Sequence, residues 1–325
     1  TSPERRHGFD FWHAYGTYDA HMRPMYWATD TPRDGAFYVD QWGPEYEADV
    51  AVRYLNNENG EYRDPDRPFA LVVAMNPPHM PYDQFPQRYL NAYEGKTYRD
   101  LLVRPNVDFE GDSAMSVLAR THTKNYFAMM TGVDEQFGRI LAALTEQGLE
   151  DNTIVVFTSD HGNSLGTHGQ VSKNTHYEES MRVPFLVRWP GEIPPRQDDL
   201  LLSTPDVSPT VLDLMGFADQ IPAAVEGVSH ASVIRGGDGA RPTSQLYLWV
   251  PVGQPEWGRR GVRTHLYTLM ISKMPGEPTE IVLHDNLEDP YQLENVAGEN
   301  PDVVERLVRE ELTPWLVRTA DPWRR

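Results

Sequence analysis

Cysteine is absent from this 325-residue chain, so neither a disulfide nor a thiolate metal site is available to it. That absence leaves the compartment open, because a cysteine-free protein is at home in reducing and oxidising surroundings alike. Positive charge is scarce: 29 lysines and arginines stand against 48 aspartates and glutamates, a formal net charge of −19. Such a field repels nucleic acid and anionic membrane surfaces, so neither is expected as a partner. It also opposes an anionic substrate, unless a bound cation and a lysine reverse the sign locally. Long apolar runs are missing too. Those present, such as Phe69 to Met75, fall far short of the roughly 20 residues that span a bilayer. The chain opens on Thr1 rather than Met, which reads as a cut or processed end and carries no statement about export.

What is present is the composition of an ordinary globular protein, 39% hydrophobic and 24% charged. Residues 1–65 crowd Phe9, Phe11, Trp12, Tyr15, Tyr18, Tyr26 and Trp27 into loops, with one helix expected over about 45–55. The continuous apolar run from Pro68 to Met75 reads as a strand buried on both faces, stopped by Pro77 and Pro78. Tyr126, Met130, Val133, Phe137, Ile140 and Leu144 recur at steps of three and four, so a long helix is expected over about 112–147, closed by Gly148. Further buried strands are expected at Thr153 to Thr158 and Val183 to Val187. Strands alternating with helices imply an α/β fold with a mixed, mostly parallel sheet over residues 1–235. Past 235, short strand-like pieces (245–250, 261–270, 280–284) and a helix opening at Pro301 imply a small C-terminal antiparallel sheet plus helix over 236–325.

In open α/β sheets, ligands gather beyond the carboxyl ends of the strands. Two expected strands deliver polar groups there: His79 after one, Asp160 and His161 after the other. A carboxylate and an imidazole are good ligands for a divalent cation. Residues 160–182 add His168, Lys173, His176, Glu178, Glu179 and Arg182, with Gly162, Gly166 and Gly169 between them. That mixture suits a metal holding an oxyanion. A solvated polar loop has the same composition.

The ordered run Asp151 to Gly162 (DNTIVVFTSDHG), then Leu165 to Gly169, Lys173 and Tyr177 to Phe185, closely resembles the sulfatase branch of the alkaline phosphatase superfamily. Gly8-Phe9-Asp10, Asn76 to Tyr82, Val133 to Leu141, Asp206 to Gly216 and Leu283 to Asn295 fit the same pattern in the same order. The resemblance implies that Asp160 and His161 are two ligands of one divalent cation, calcium before magnesium. It implies that Lys173 binds the sulfate and that His79 contacts the sulfate or leaving oxygen as a general acid. His168 and His176 are candidate pocket-lining, substrate-binding residues, and His13 and His21 are candidate substrate-facing groups. The implied partner is a sulfated small molecule or glycan. The family favours a periplasmic or extracellular setting, with a cytoplasmic one open.

The same family takes its nucleophile, a formylglycine, from a Cys or Ser in a Cys/Ser-x-Pro-Ser-Arg motif, which does not occur here; Thr1 to Arg5 lacks its Ser-Arg pair. We therefore expect a piece of a longer sulfuric ester hydrolase whose formylglycine segment lies elsewhere. A two-chain enzyme and a non-catalytic, sulfated-glycan-binding paralogue are the other arrangements. A phosphodiesterase or phosphonate monoester hydrolase of the same superfamily is the alternative chemistry. Oligomeric state is not readable.

Overall fold

Aromatic residues spaced along the first forty positions pair as short strands rather than forming loops alone. The structure, a computed structural model, describes residues 3–16 and 19–324. Thr1, Ser2 and Tyr18, which enter the expectations above, lie outside the described residues. The chain divides into two compact units, Thr1–Val103 with Phe109–Asp151 and Arg104–Asp108 with Asn152–Arg325. The change of texture near residue 235 falls inside the second of these.

In the first unit, strands β1 (His13–Tyr15), β2 (Met25–Ala28) and β3 (Phe37–Tyr38) form an antiparallel sheet in that order. Helix α1 (Gly43–Asn56) starts with Pro44 in its first turn, where the missing N–H is harmless. It ends on Asn57 in the left-handed region, whose N–H returns to the carbonyls of Arg53 and Tyr54. Helix α2 (Gln87–Asn91) follows, then α3 (Tyr98–Leu101), which opens with a Thr97–Asp100 capping box. The long helix α4 (Ala114–Glu146) is capped by the Ser113 side chain and followed by Gly148 at φ +65°.

The helix is where the sequence places it, but its buried face follows the expected apolar stripe only in part, at Leu144 and Val133. The fully buried line includes Ala119, Thr123, Ala128, Met129, Gly132 and Gln136, while Met130 is 45% exposed. Small residues win because they let Trp42 and Tyr89 approach closely: a Cβ on Gly132 would sit 2.5 Å from the Trp42 ring. The expectation for 68–75 also needs correction. Ala70, Val72 and Ala74 are exposed, and among the described residues the run joins no ladder. An unbroken apolar run shows that a strand could be buried, not that neighbours lie beside it.

In the second unit, β4 (Val155–Thr158) pairs antiparallel with β5 (Phe185–Arg188), and the short helix α5 (Glu178–Met181) lies between them in sequence; both strands stand where expected but are not buried, with Leu186 58% exposed. Helix α6 (Thr204–Leu214) is opened by a Ser203–Asp206 capping box, and α7 (Ala231–Ile234) follows. Then come β6 (Ser244–Trp249), β7 (Gly258–Thr264), β8 (Tyr267–Lys273) and β9 (Glu280–Asp285), an antiparallel meander in sequential order. The expected single piece over 261–270 is the end of β7 and the start of β8, joined by a tight turn. Helix α8 (Pro301–Leu307) continues through a π turn over Val308–Leu312 into α9 (Thr313–Arg318). One sheet face, with Val262, Leu269 and Leu283, packs on Leu307, Leu312 and Leu316. Each such buried side chain contributes about 2 kcal/mol of hydrophobic stabilisation. The α/β architecture with its small C-terminal antiparallel sheet and helix is thus what the chain adopts, and the ladders among its described residues are antiparallel.

Candidate active site

Strand β4 runs straight into Ser159, Asp160, His161 and Gly162. Gly162 donates its N–H to the Ser180 carbonyl at 2.9 Å, and a Cβ there would lie 2.0 Å from the Glu179 carbonyl oxygen. Only glycine lets the strand end pass α5 this closely. The Ser159 hydroxyl donates to the His161 carbonyl at 2.8 Å, and the His161 N–H donates to Asp160 Oδ1 at 2.9 Å, so the turn is locked from within.

His161 Nδ1 lies 2.8 Å from the Gly162 carbonyl, which can only accept, so Nδ1 carries the proton. The other nitrogen, Nε2, points at Asp160 Oδ2 at 3.1 Å, and the Asp160 side chain is 80% exposed. Two lone-pair bearers at that distance need a proton or a cation between them. The separation suits neighbouring nitrogen and oxygen ligands of one divalent ion. The donor types therefore fit such an ion, though two donors do not complete a shell: no cluster of three or more potential ligands occurs among the described residues.

Downstream, residues 174–179 lie over the second face of the C-terminal sheet, opposite the face that carries α8 and α9. The Asn174 carbonyl accepts from the Tyr247 hydroxyl and from Arg259 Nη1, each at 3.3 Å. His176 Nε2 is 3.1 Å from His284 Nε2. His284 Nδ1 donates to the Glu294 carbonyl at 2.7 Å, so its Nε2 accepts and His176 is the donor. Burial first, then the neighbouring His284 and Arg259, pushes His176 down to about 3, so it is neutral at physiological pH. Glu178 accepts from Arg263 Nε at 3.1 Å, and its N–H donates to the Gln292 side chain at 2.8 Å. These contacts fix the segment at whose head Lys173 stands half-buried.

His168 is enclosed rather than open, with its side chain 8% exposed. Its ring stacks on Tyr177 at 3.6 Å, and the Asn106 amide donates to its Nε2 at 2.8 Å. Asn106 and Arg104 also reach Glu179 Oε1 at 2.8 Å each. Burial alone would raise the Glu179 carboxyl. The bond from the Asn106 amide and the Arg104 charge outweigh that and hold it at about 2. His168 and His176 are thus placed beneath the loop, bonded to protein groups.

In the first unit, His79 Nδ1 is 2.8 Å from the Met80 carbonyl and 3.3 Å from Asp19 Oδ1, which leaves Nε2 as its outward nitrogen. His21 is 1% exposed and donates from Nε2 to the His79 carbonyl at 3.0 Å, so it supports this turn and faces no solvent. His13 is half-buried among the rings of Tyr26, Phe37 and Tyr46, and burial holds it down at about 4. Sequence reasoning missed Asp19, Arg104, Asn106, Tyr247, Arg259 and Arg263. Their partners lie many residues away along the chain, and no local pattern marks them.

Comparison with known proteins brings these observations together. The family model described as Sulfatase matches residues 1–217, and that of the N-sulphoglucosamine sulphohydrolase C-terminal region matches residues 166–317. An endo-4-O-sulfatase of Bacteroides thetaiotaomicron is 42% identical, covering 99% of this chain and 65% of that protein. An ulvan-active sulfatase of Formosa agariphila is 32% identical over 92% of this chain and 56% of its own length. This chain therefore spans less than two thirds of these relatives. A solved structure from Bacteroides fragilis, designated a sulfatase, superimposes with a TM-score of 0.92 at 42% identity, over 98% of this chain and 68% of that one.

Proposed function

This chain belongs to the sulfatase family, and we propose that it forms the metal-and-lysine part of an enzyme that hydrolyses a sulfate ester on a glycan. The observation that carries the reading is the convergence of His161 Nε2 and Asp160 Oδ2 at 3.1 Å on an exposed strand end. Asp160 and His161 would hold one divalent cation, calcium or magnesium, which when bound polarises a sulfate oxygen. Lys173 neutralises charge gathering on the sulfate oxygens as the S–O bond breaks. His79 offers Nε2 to the leaving oxygen and, when protonated, gives it a proton. The formylglycine nucleophile has no precursor motif in this chain, so in this reading it comes from outside these residues. The names of the relatives, endo-4-O-sulfatase and ulvan-active sulfatase, support a sulfated glycan as substrate, and the family setting supports a periplasmic or extracellular location.

The test compares matched aryl sulfate, phosphate diester and phosphonate monoester substrates on the complete enzyme. Sulfate ester turnover should dominate, and Lys173→Ala should lower kcat/KM by about a hundredfold or more. Preference for the phosphorus substrates would replace the reading with the alternative hydrolase chemistry. Glycan binding without turnover of any of them would leave a binding protein.

A further inference from the structure

The second face of the C-terminal sheet ends in a row that the groups assigned above do not use. Trp249 of β6 stands opposite Arg259 of β7, followed across the sheet by Ser272 and Glu280. The Arg259 guanidinium rests over the Trp249 ring at 5.3 Å, and both residues are half-buried. Its Nη1 reaches the Asn174 carbonyl at 3.3 Å, which places the cation beside the backbone of the residue following Lys173. The buried Nε has no hydrogen-bond partner.

Among the described residues Arg259 has no carboxylate partner, and Glu280, the acid of its own row, forms no ion pair with it. Arg263, on the same strand, is by contrast paired with Glu178. A partly desolvated guanidinium with a buried, unbonded Nε and no carboxylate partner is costly to keep. The cost is offset when an anion from outside completes the pair, and a planar guanidinium backed by an aromatic ring is a well-shaped receptor for an oxyanion.

We propose that Trp249 and Arg259 form a second anion-reading subsite beside Lys173, which takes a carboxylate or sulfate on the sugar adjoining the one that carries the scissile ester. The proposal rests on the sulfatase reading and deepens it: Lys173 holds the sulfate to be cleaved, and Arg259 selects an acidic neighbour. Tyr247, the other donor to the Asn174 carbonyl, holds the loop without contacting the sugar.

Calorimetric titration of the protein with defined sugars tests this. The probes are 4-O-sulfated N-acetylgalactosamine, its disaccharide with a uronic acid, and a carboxyl-reduced tetrasaccharide bearing two sulfates. The disaccharide should bind about tenfold more tightly than the monosaccharide, the scale of one charge-assisted bond. Arg259→Leu should erase that gain, while its monosaccharide binding should match that of Tyr247→Phe, which removes the other donor to the Asn174 carbonyl. Arg259→Lys should retain part of it, and Tyr247→Phe should keep the ratio, which separates recognition from loop support. Transfer of the gain to the carboxyl-reduced tetrasaccharide identifies sulfate as the oxyanion, and its absence there identifies carboxylate. Binding that needs Lys173 but is alike for all three sugars, with or without Arg259, overturns the subsite alone. Binding of none of them overturns the sulfatase reading and the subsite together.

Discussion

His176 and Glu179 sit three residues apart, and each is held far from its ordinary titration range, in ways that make opposite demands on the fold. His176 is kept neutral, its ordinary value of 6.5 lowered to about 3 by burial and by His284 and Arg259. The unfolded chain takes up that proton below pH 6.5 and the folded chain does not, so stability contributed by the neutral ring is lost as pH falls from about 6.5 toward 3. The slope is about 1.4 kcal/mol per pH unit. His176→Gln keeps a donor for His284 without a titrating ring, so its stability should fall less steeply over that window in urea unfolding at pH 7, 6 and 5. Equal slopes would show that the ring titrates normally. Glu179, depressed from 4.5 to about 2, contributes stability above its unfolded value that disappears as pH falls through the folded one. Glu179→Gln should cost about 2 kcal/mol at pH 7 and progressively less between pH 4.5 and 2. A pH-independent cost would mean that shape, not charge, is what the Arg104 and Asn106 contacts require.

At the scale of the element, the site depends on how closely β4 passes α5. Gly162→Ala would push a methyl group into the Glu179 carbonyl, 2.0 Å away. The strand end or α5 must then move, at a cost of about 1–3 kcal/mol. Thermal unfolding should report the loss, and Asp160 should no longer meet His161. An unchanged melting temperature would mean the contact relaxes freely. That glycine was legible in the sequence, as were α1, α4, β4, β5 and the C-terminal helix, because each is written in local periodicity or in a cap. The run over 68–75 was misread, since an apolar stretch does not say what lies beside it. The expected stripe on α4 was right at Leu144 and Val133 and misread at Met130, for a related reason: Gly132 and Ala128 mark the close approach of Trp42 better than large residues do. The contacts that aim Lys173 were not legible at all. Asn106 lies 73 residues from Glu179, and Tyr247 lies 73 from Asn174. Nothing short of the folded backbone joins them.

At the scale of the whole chain, 48 acids against 29 basic residues would, under the proposed function, meet a substrate that is itself an anion. Long-range repulsion and short-range attraction then act over different distances. At 0.01 M salt the Debye length is about 30 Å, so an approaching polyanion feels the net charge of the chain; at 0.15 M it is about 8 Å, and the contacts proposed at Lys173 and Arg259 dominate. Adding salt from 0.01 M should therefore first raise the association rate of a sulfated oligosaccharide, because it removes the barrier faster than it weakens the pairs. Above about 0.15 M the pairs themselves are screened, and affinity should fall. A singly charged aryl sulfate should show a much shallower rise, since repulsion scales with the charge of the ligand. Stopped-flow association at four salt concentrations separates the cases. An oligosaccharide rate that only falls from the lowest salt would mean that a local positive field extends well beyond the site, and that the acidic balance of the chain is confined to surfaces the substrate never meets.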